Sequence, residues 1–335
     1  MDSTGIHFSC KPFIPHPALR NRHAQTIAAA LIPRKANLTL QRHEARLFDV
    51  EPEVQVLADC SWQPERMSSP TVVIVHGMEG SSQSPYMIST AEKFLSAGFN
   101  AVRLNLRNCG GTEHMTPTLY HAGLTNDLQE VTRQLAAEGF RQLFLVGFSL
   151  GGNIVLKLAG EYAGNAPTEL RGAVALSASI DLTSCIDTIE LRSNLFYQLR
   201  FLASLKARMR LKAELFPDRY DASLLGGIWS IRKFDDLYTA PQMGFRNASE
   251  YYERASSLRY IDKIAIPTLI IHAKDDPFIP YAPLERAEVT TNPYVLVLAP
   301  DNGGHVGFVS AHSEAGDHFW AEARAVEFIR TVFSL

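Results

Sequence analysis

LFLVGFSLGGNIVLKLAGEY, residues Leu143–Tyr162, is the stretch on which the reading of this chain turns. Leu143–Val146 is an apolar run of the length of a buried strand. Gly147-Phe148-Ser149-Leu150-Gly151 interrupts it, and Gly152 follows. Ile154, Val155, Leu158 and Ala159 then recur at the spacing of a helix with one buried face. Strand, tight turn and helix around G-x-S-x-G form a nucleophile elbow. A serine held in such a turn lifts its hydroxyl clear of the sheet, and only glycine lets neighbouring backbone pass so close. The helix that follows aims its free N–H groups and positive dipole end at the same spot.

Composition removes several alternatives. The chain has 335 residues, 46% of them hydrophobic and 20% charged, enough for one large domain with an insertion or for two domains. A formal net charge of −3 gives no general basic field, so no nucleic-acid partner is expected. Cys10, Cys60, Cys109 and Cys185 are scattered, without C-x-x-C or Cys/His clustering, and read as free thiols of a reducing compartment. The first residues lack a signal-peptide core, and no run approaches the roughly 20 apolar residues of a membrane span. A cytoplasmic location is the expectation.

Outward from the elbow, Thr71–Val75, Gly172–Leu176, Pro267–His272 and Tyr294–Leu298 read as strands, as do Asn100–Leu106, Val54–Ala58 and Leu38–Leu40. Pro85–Gly98, Thr125–Gly139 and Gly316–Phe333 read as helices. Such alternation predicts a mostly parallel sheet covered on both faces, with active residues at the carboxyl ends of the strands. Residues 1–35, rich in Pro, His and Arg, read as an arm packed on the surface. The alternation fails between Ser184 and Tyr260, which predicts a helical cap or lid. Its best helix is Arg200–Phe216, with Phe201, Leu205 and Met209 on one face. Lys206/Arg210 and Arg208/Lys212 form i, i+4 pairs on other faces. A solvated charged face is the expectation for these pairs, with peripheral contact to an anionic membrane as the alternative.

A serine hydroxyl needs a base, and the base needs an orienting carboxylate. In the chain order Ser…Asp…His both partners follow late strands. Pro267–His272 leads into Asp275-Asp276-Pro277, and Tyr294–Leu298 leads into the glycine-rich loop that carries His305. This order resembles that of the α/β-hydrolases, many of which place a proline four residues after the acid; Pro280 stands four after Asp276, so the resemblance implies Asp276 as the acid and leaves Asp275 structural. His312 and His318 lie beside or inside the closing helix and are weaker candidates for the base. Leu150 N–H and Met78 N–H, the latter from the loop His76-Gly77-Met78, are the expected oxyanion donors. His76 reads as a turn-stabilising residue, and Arg107–Gly111 as packing near the site.

These stretches resemble the α/β-hydrolase superfamily, in its branch of YheT-like esterases and related eukaryotic lipid hydrolases and alcohol acyltransferases. The matching motifs run nearly end to end. They are Pro12-Phe13 with Leu19–Thr26 (LRNRHAQT), His76–Ser82, Asn105–Gly111, Gly147–Asn153, Tyr251-Tyr252, Asp275-Asp276-Pro277 and Gly304–Phe308. The resemblance implies a mostly parallel eight-stranded sheet with helices on both faces and a helical cap. It implies a triad of Ser149, Asp276 and His305. The eukaryotic relatives often carry an N-terminal membrane anchor; none reads here, which favours the bacterial, soluble kind. The expected organisation is an arm at 1–35, a core of 36–183 and 261–335, and a cap at 184–260. The expected activity is serine carboxylesterase action on short- to medium-chain esters, with a small-molecule ester as partner and no metal or cofactor. An alcohol acyltransferase or lipid hydrolase using the same triad is the alternative, and a ligand-binding protein of the same fold the non-enzyme rival. A dehalogenase or epoxide hydrolase is disfavoured, since those place aspartate where Ser149 stands.

Overall fold

The order of hydrophobic residues along the central strands sets the architecture. In Thr71–Val75, alternate residues turn to opposite faces: Val72 and Ile74 join one buried cluster, Val73 and Val75 the other. A strand buried on both faces needs helices above and below, and a computed structural model shows them. It describes residues 8–34, 42–314 and 317–334. In chain order the elements before the cap are α1 (Arg22–Leu31), β1 (Arg42–Glu51), β2 (Val54–Trp62), β3 (Thr71–Val75), α2 (Pro85–Ser96), β4 (Asn100–Leu104), α3 (Asn126–Glu138), β5 (Leu143–Phe148), α4 (Leu150–Tyr162) and β6 (Leu170–Leu176). After the cap come β7 (Thr268–Ile271), the short α10 (Ala287–Thr290), β8 (Val295–Leu298), β9 (Val309–Glu314), β10 (Asp317–Phe319) and α11 (Trp320–Phe333).

The eight strands β1 to β8 form one sheet in the order β1-β2-β4-β3-β5-β6-β7-β8. β1, β2 and β4 pair antiparallel, and every pairing from β4 across to β8 is parallel. Met87 and Phe94 of α2 pack with Phe328 and Ile329 of α11 on one face. Leu128 and Val131 of α3 pack with Ile154 and Leu158 of α4 on the other. β3, β5, β7 and β8 therefore end at the same edge, and the loops that leave them meet there.

Between β6 and β7 every described element is helical: α5 (Leu182–Ile189), α6 (Leu195–Leu215), α7 (Ile231–Phe234), a π turn at Asp235–Thr239, α8 (Ala240–Gln242), α9 (Ala248–Ala255) and short 3-10 turns. α6 begins five residues before the expected Arg200.

The expected strand at Leu38–Leu40 lies outside the described residues, β1 was not foreseen, and two readings need correction. Among the residues of β1 whose burial is described, only Phe48 and Val50 are buried, and Arg46 on their face with the exposed Leu47 on the other hides that short alternation. The closing helix starts at Trp320, because Asp317–Phe319 pairs with Val309–Glu314 as a hairpin; Gly316 lies outside the described residues. His312 and His318 are thus exposed strand residues of that hairpin. Finally, Arg208 and Lys212 do not form a solvated face. Lys212 is fully buried, and its ammonium donates to Asn108 Oδ1 (2.9 Å) and Glu113 O (3.0 Å).

Candidate active site

β5 ends at Phe148, and Ser149 follows at φ 53° and ψ −117°, a left-handed conformation that a side chain rarely adopts. The glycines around it are sterically required. A Cβ on Gly147 would stand 2.3 Å from Gly151 O, and one on Gly151 would stand 2.4 Å from His76 O. The turn therefore brings β5, α4 and the end of β3 into contact and leaves the serine hydroxyl facing out.

His305 comes to this serine from the loop after β8. Its Nε2 is 3.0 Å from Ser149 Oγ, and its Nδ1 is 2.8 Å from Asp276 Oδ2. Asp276 Oδ1 accepts from Phe278 N (3.1 Å) and Ile279 N (2.9 Å). Burial pulls the Asp276 carboxyl up, but His305, His272 and the Ile279 N–H outweigh it and hold the group below its usual range. It is the ionised partner that a protonated His305 would need. The neighbouring Asp275 faces elsewhere and accepts from Gly304 N at 2.9 Å, bracing the histidine loop.

The loop after β3, where Met78 was the expected oxyanion donor, spends its N–H groups on the protein with one exception. Gly77 N donates to Tyr86 Oη (3.0 Å), Glu79 N to Tyr120 Oη (3.1 Å) and Gly80 N to Gly77 O (3.1 Å). Among the described residues Met78 N–H donates to no protein acceptor, and neither does Leu150 N–H at the first turn of α4. His76 is fully buried; its Nε2 accepts from Leu106 N (3.1 Å), so its Nδ1 donates to Gly77 O (2.7 Å). Burial lowers its pKa to about 4, which keeps it a neutral strut.

Sequence reasoning missed two supports. Residues 8–34 are more than a surface arm. Gln25 is fully buried and bridges β9 by donating to Val309 O (3.1 Å) and accepting from Val309 N (2.8 Å). Thr26 Oγ1 accepts the N–H of His305 at 2.9 Å, so α1 props the histidine loop from behind. The motif LRNRHAQT carried this signal, but nothing in its spacing names a partner nearly 280 residues away. The second support is Glu79, at φ 58° beside Met78. Its carboxylate accepts from Tyr120 Oη (2.9 Å), Ser204 Oγ (2.5 Å) and Arg208 Nε (3.0 Å) and Nη2 (3.1 Å). Ser204 and Arg208 belong to α6, so a largely buried ion pair ties the cap to the loop after β3. Arg107–Gly111 adds a further tie: Arg107 clamps Asp127 (Nε–Oδ2 2.8 Å), and Asn108 takes the Lys212 ammonium.

Ser149 opens into a cavity of ≈ 520 Å³ between the sheet edge and the cap, within the size range of small-molecule sites. Its wall is mainly apolar, with Met78, Ile186, Ile189, Phe201, Leu205 and Ile231 among the lining residues. Among the described residues no group of His, Cys, Asp and Glu stands close enough to hold a metal ion, and no helix is long and apolar enough to cross a membrane.

Residues 70–311 match the family of the alpha/beta hydrolase fold. The putative esterase YheT of Escherichia coli is 32% identical over 96% of this chain and 94% of its own length. The medium-chain fatty acid ethyl ester synthase/esterase 2 of Saccharomyces cerevisiae is 29% identical over 83% of this chain and 66% of its own. Among solved structures, the Pyrococcus furiosus esterase Pf2001 superposes with a TM-score of 0.59 at 18% identity, over 98% of this chain and 100% of that one. Fold, site geometry and relatives agree, and the chain belongs to the α/β-hydrolase family, in its YheT-like esterase branch.

Proposed function

We propose that this hydrolase is a serine carboxylesterase acting on short- to medium-chain esters through Ser149, His305 and Asp276. The observation that carries the reading is the chain of contacts Ser149 Oγ–His305 Nε2 (3.0 Å) and His305 Nδ1–Asp276 Oδ2 (2.8 Å), set beside two unspent N–H groups. His305 Nε2 takes the hydroxyl proton as Oγ attacks the ester carbonyl. The N–H groups of Leu150 and Met78 stabilise the tetrahedral oxyanion. The imidazolium, steadied by Asp276, gives its proton to the departing alkoxide and leaves an acyl-serine. Water, deprotonated by His305, attacks the acyl carbonyl, and Ser149 leaves with the proton to release the acid. The apolar wall and the ≈ 520 Å³ of space favour an acyl chain over a charged group.

The test is hydrolysis of p-nitrophenyl esters graded in acyl length, with Ser149→Ala beside the wild type and a fluorophosphonate probe for the serine. Activity at short or middle chains that vanishes in a folded Ser149→Ala supports the reading; unchanged hydrolysis in that variant sinks it. If the wild type neither hydrolyses nor labels, a ligand-binding role returns. A second reading, acyl transfer to an alcohol through the same acyl-serine, draws on the yeast relative named synthase/esterase. Added ethanol separates the two, since transfer diverts product from acid to ethyl ester.

A further inference from the structure

The cavity opens between α1 and α6, which meet where His23 Nδ1 lies 3.1 Å from Tyr197 Oη and the two rings stack. Both helices line the opening with side chains that stay in solvent: Ile27 is 41% exposed, Leu31 75% and Phe196 64%. Leu195 and Leu199, one helical turn apart beside Phe196, are 50% and 46% exposed. Large apolar residues left this open around the mouth of an apolar pocket mark an interaction surface.

Charge names the partner. Residues 3–43 and 191–213 together hold twelve of the chain's 32 Lys and Arg and none of its 35 Asp and Glu. α1 lies in the first of these segments, and nearly all of α6 in the second. Arg34, Arg208 and Lys212 are bound to Glu322, to Glu79 and to Asn108 with nearby carbonyls. The exposed Arg20, Arg22, Arg192 and Arg200 make no ion pair among the described residues. A chain of net charge −3 thus carries unpaired cations on, or within three residues of, the two helices whose apolar side chains line the pocket mouth, with Arg200 itself in the lining. We propose that this face docks on an anionic lipid surface. Leu31, Phe196, Leu195 and Leu199 would enter the headgroup–acyl boundary while the arginines meet anionic headgroups, so that the pocket opens into the lipid.

This goes beyond the esterase reading and does not depend on it, because docking requires no turnover. The experiment is flotation of the full chain and of Ser149→Ala with phosphatidylcholine vesicles, with and without phosphatidylglycerol. Binding is expected only with phosphatidylglycerol, and added salt should weaken it. Arg22→Glu with Arg192→Glu should lower partitioning about tenfold or more. Leu195→Asp with Leu199→Asp should lower it as well, while hydrolysis of soluble p-nitrophenyl acetate stays at the wild-type rate. Absence of binding at low salt, equal binding to neutral vesicles, or wild-type binding by both double variants overturns the proposal. So does a stable dimer in sedimentation that Leu195→Asp with Leu199→Asp dissociates, since a second copy would then cover these lips. Because Ser149→Ala is floated alongside, failure to dock and failure to hydrolyse are read separately.

Discussion

Two adjacent aspartates divide the work at the end of β7. Asp276 orients His305, and Asp275 holds Gly304 N–H, one residue before it. Asp276→Asn should lower kcat by a factor of about 10⁴ with little change in KM, because the amide favours the wrong imidazole tautomer. Asp275→Asn keeps an acceptor for Gly304 and should cost tenfold or less in kcat. Steady-state kinetics on one p-nitrophenyl ester compares the two directly; equal losses would contradict the assignment. Thr26→Val keeps the shape of the α1 prop but leaves the His305 N–H without its acceptor. A loss of about 1–3 kcal/mol in urea unfolding is expected, with a fall in kcat. Asp276 could be chosen from sequence by its distance to Pro280. Thr26 could not, since a threonine in a helix shows no partner until the chain folds.

At the scale of the element, α6 joins the cap to the loop that carries Met78. Its pattern Ser204, Arg208, Lys212 repeats every fourth residue and places three polar groups on one inward stripe. The helix was legible, and so was the apolar face Phe201, Leu205, Met209. The direction of the polar stripe was not, because helical spacing says which residues share a face and nothing about what lies beneath it. Arg208→Gln leaves the Glu79 carboxylate buried without its counter-ion, and such a break costs about 3–5 kcal/mol. Because Glu79 adjoins Met78, kcat should fall together with stability. Arg208→Lys keeps the charge and should recover part of both, as followed by thermal unfolding and p-nitrophenyl ester kinetics. Wild-type kcat in a folded Arg208→Gln would detach the cap from the loop that carries Met78. β1 was lost for the opposite reason: an edge strand with two buried residues carries too little alternation to announce itself.

Across the whole molecule, buried histidines set the acid limit. Burial lowers His76 to about 4 and His121 to about 3 from an ordinary 6.5, and His272 also shifts down. A depressed folded pKa means that the folded state binds fewer protons than the unfolded chain. Stability from these groups is complete above pH 6.5 and is lost as pH falls through roughly 4. Asp235 opposes them: burial raises its carboxyl to about 6, so its proton favours the folded state between its ordinary 3.8 and 6. Urea midpoints should drop from pH 7 to pH 4.5, less steeply in His121→Phe and more steeply in Asp235→Asn. A flat profile for the wild type would contradict the burial of these groups as charged-state penalties.

What sequence alone determined is what local spacing and chain order encode. The buried strands, the elbow around Ser149, the order Ser…Asp…His and the helical break after β6 all follow from period, glycine sterics and strand ends. These properties are read from neighbouring residues or from their order along the chain, and none requires knowing which distant groups meet. What only the tertiary structure decided is which distant groups meet. Gln25 and Thr26 prop the histidine loop, Glu79 receives Arg208, and α1 closes one side of the pocket mouth. A polar side chain states its capacity to bond through its type, but its partner is selected by packing across the fold, where no local period reaches.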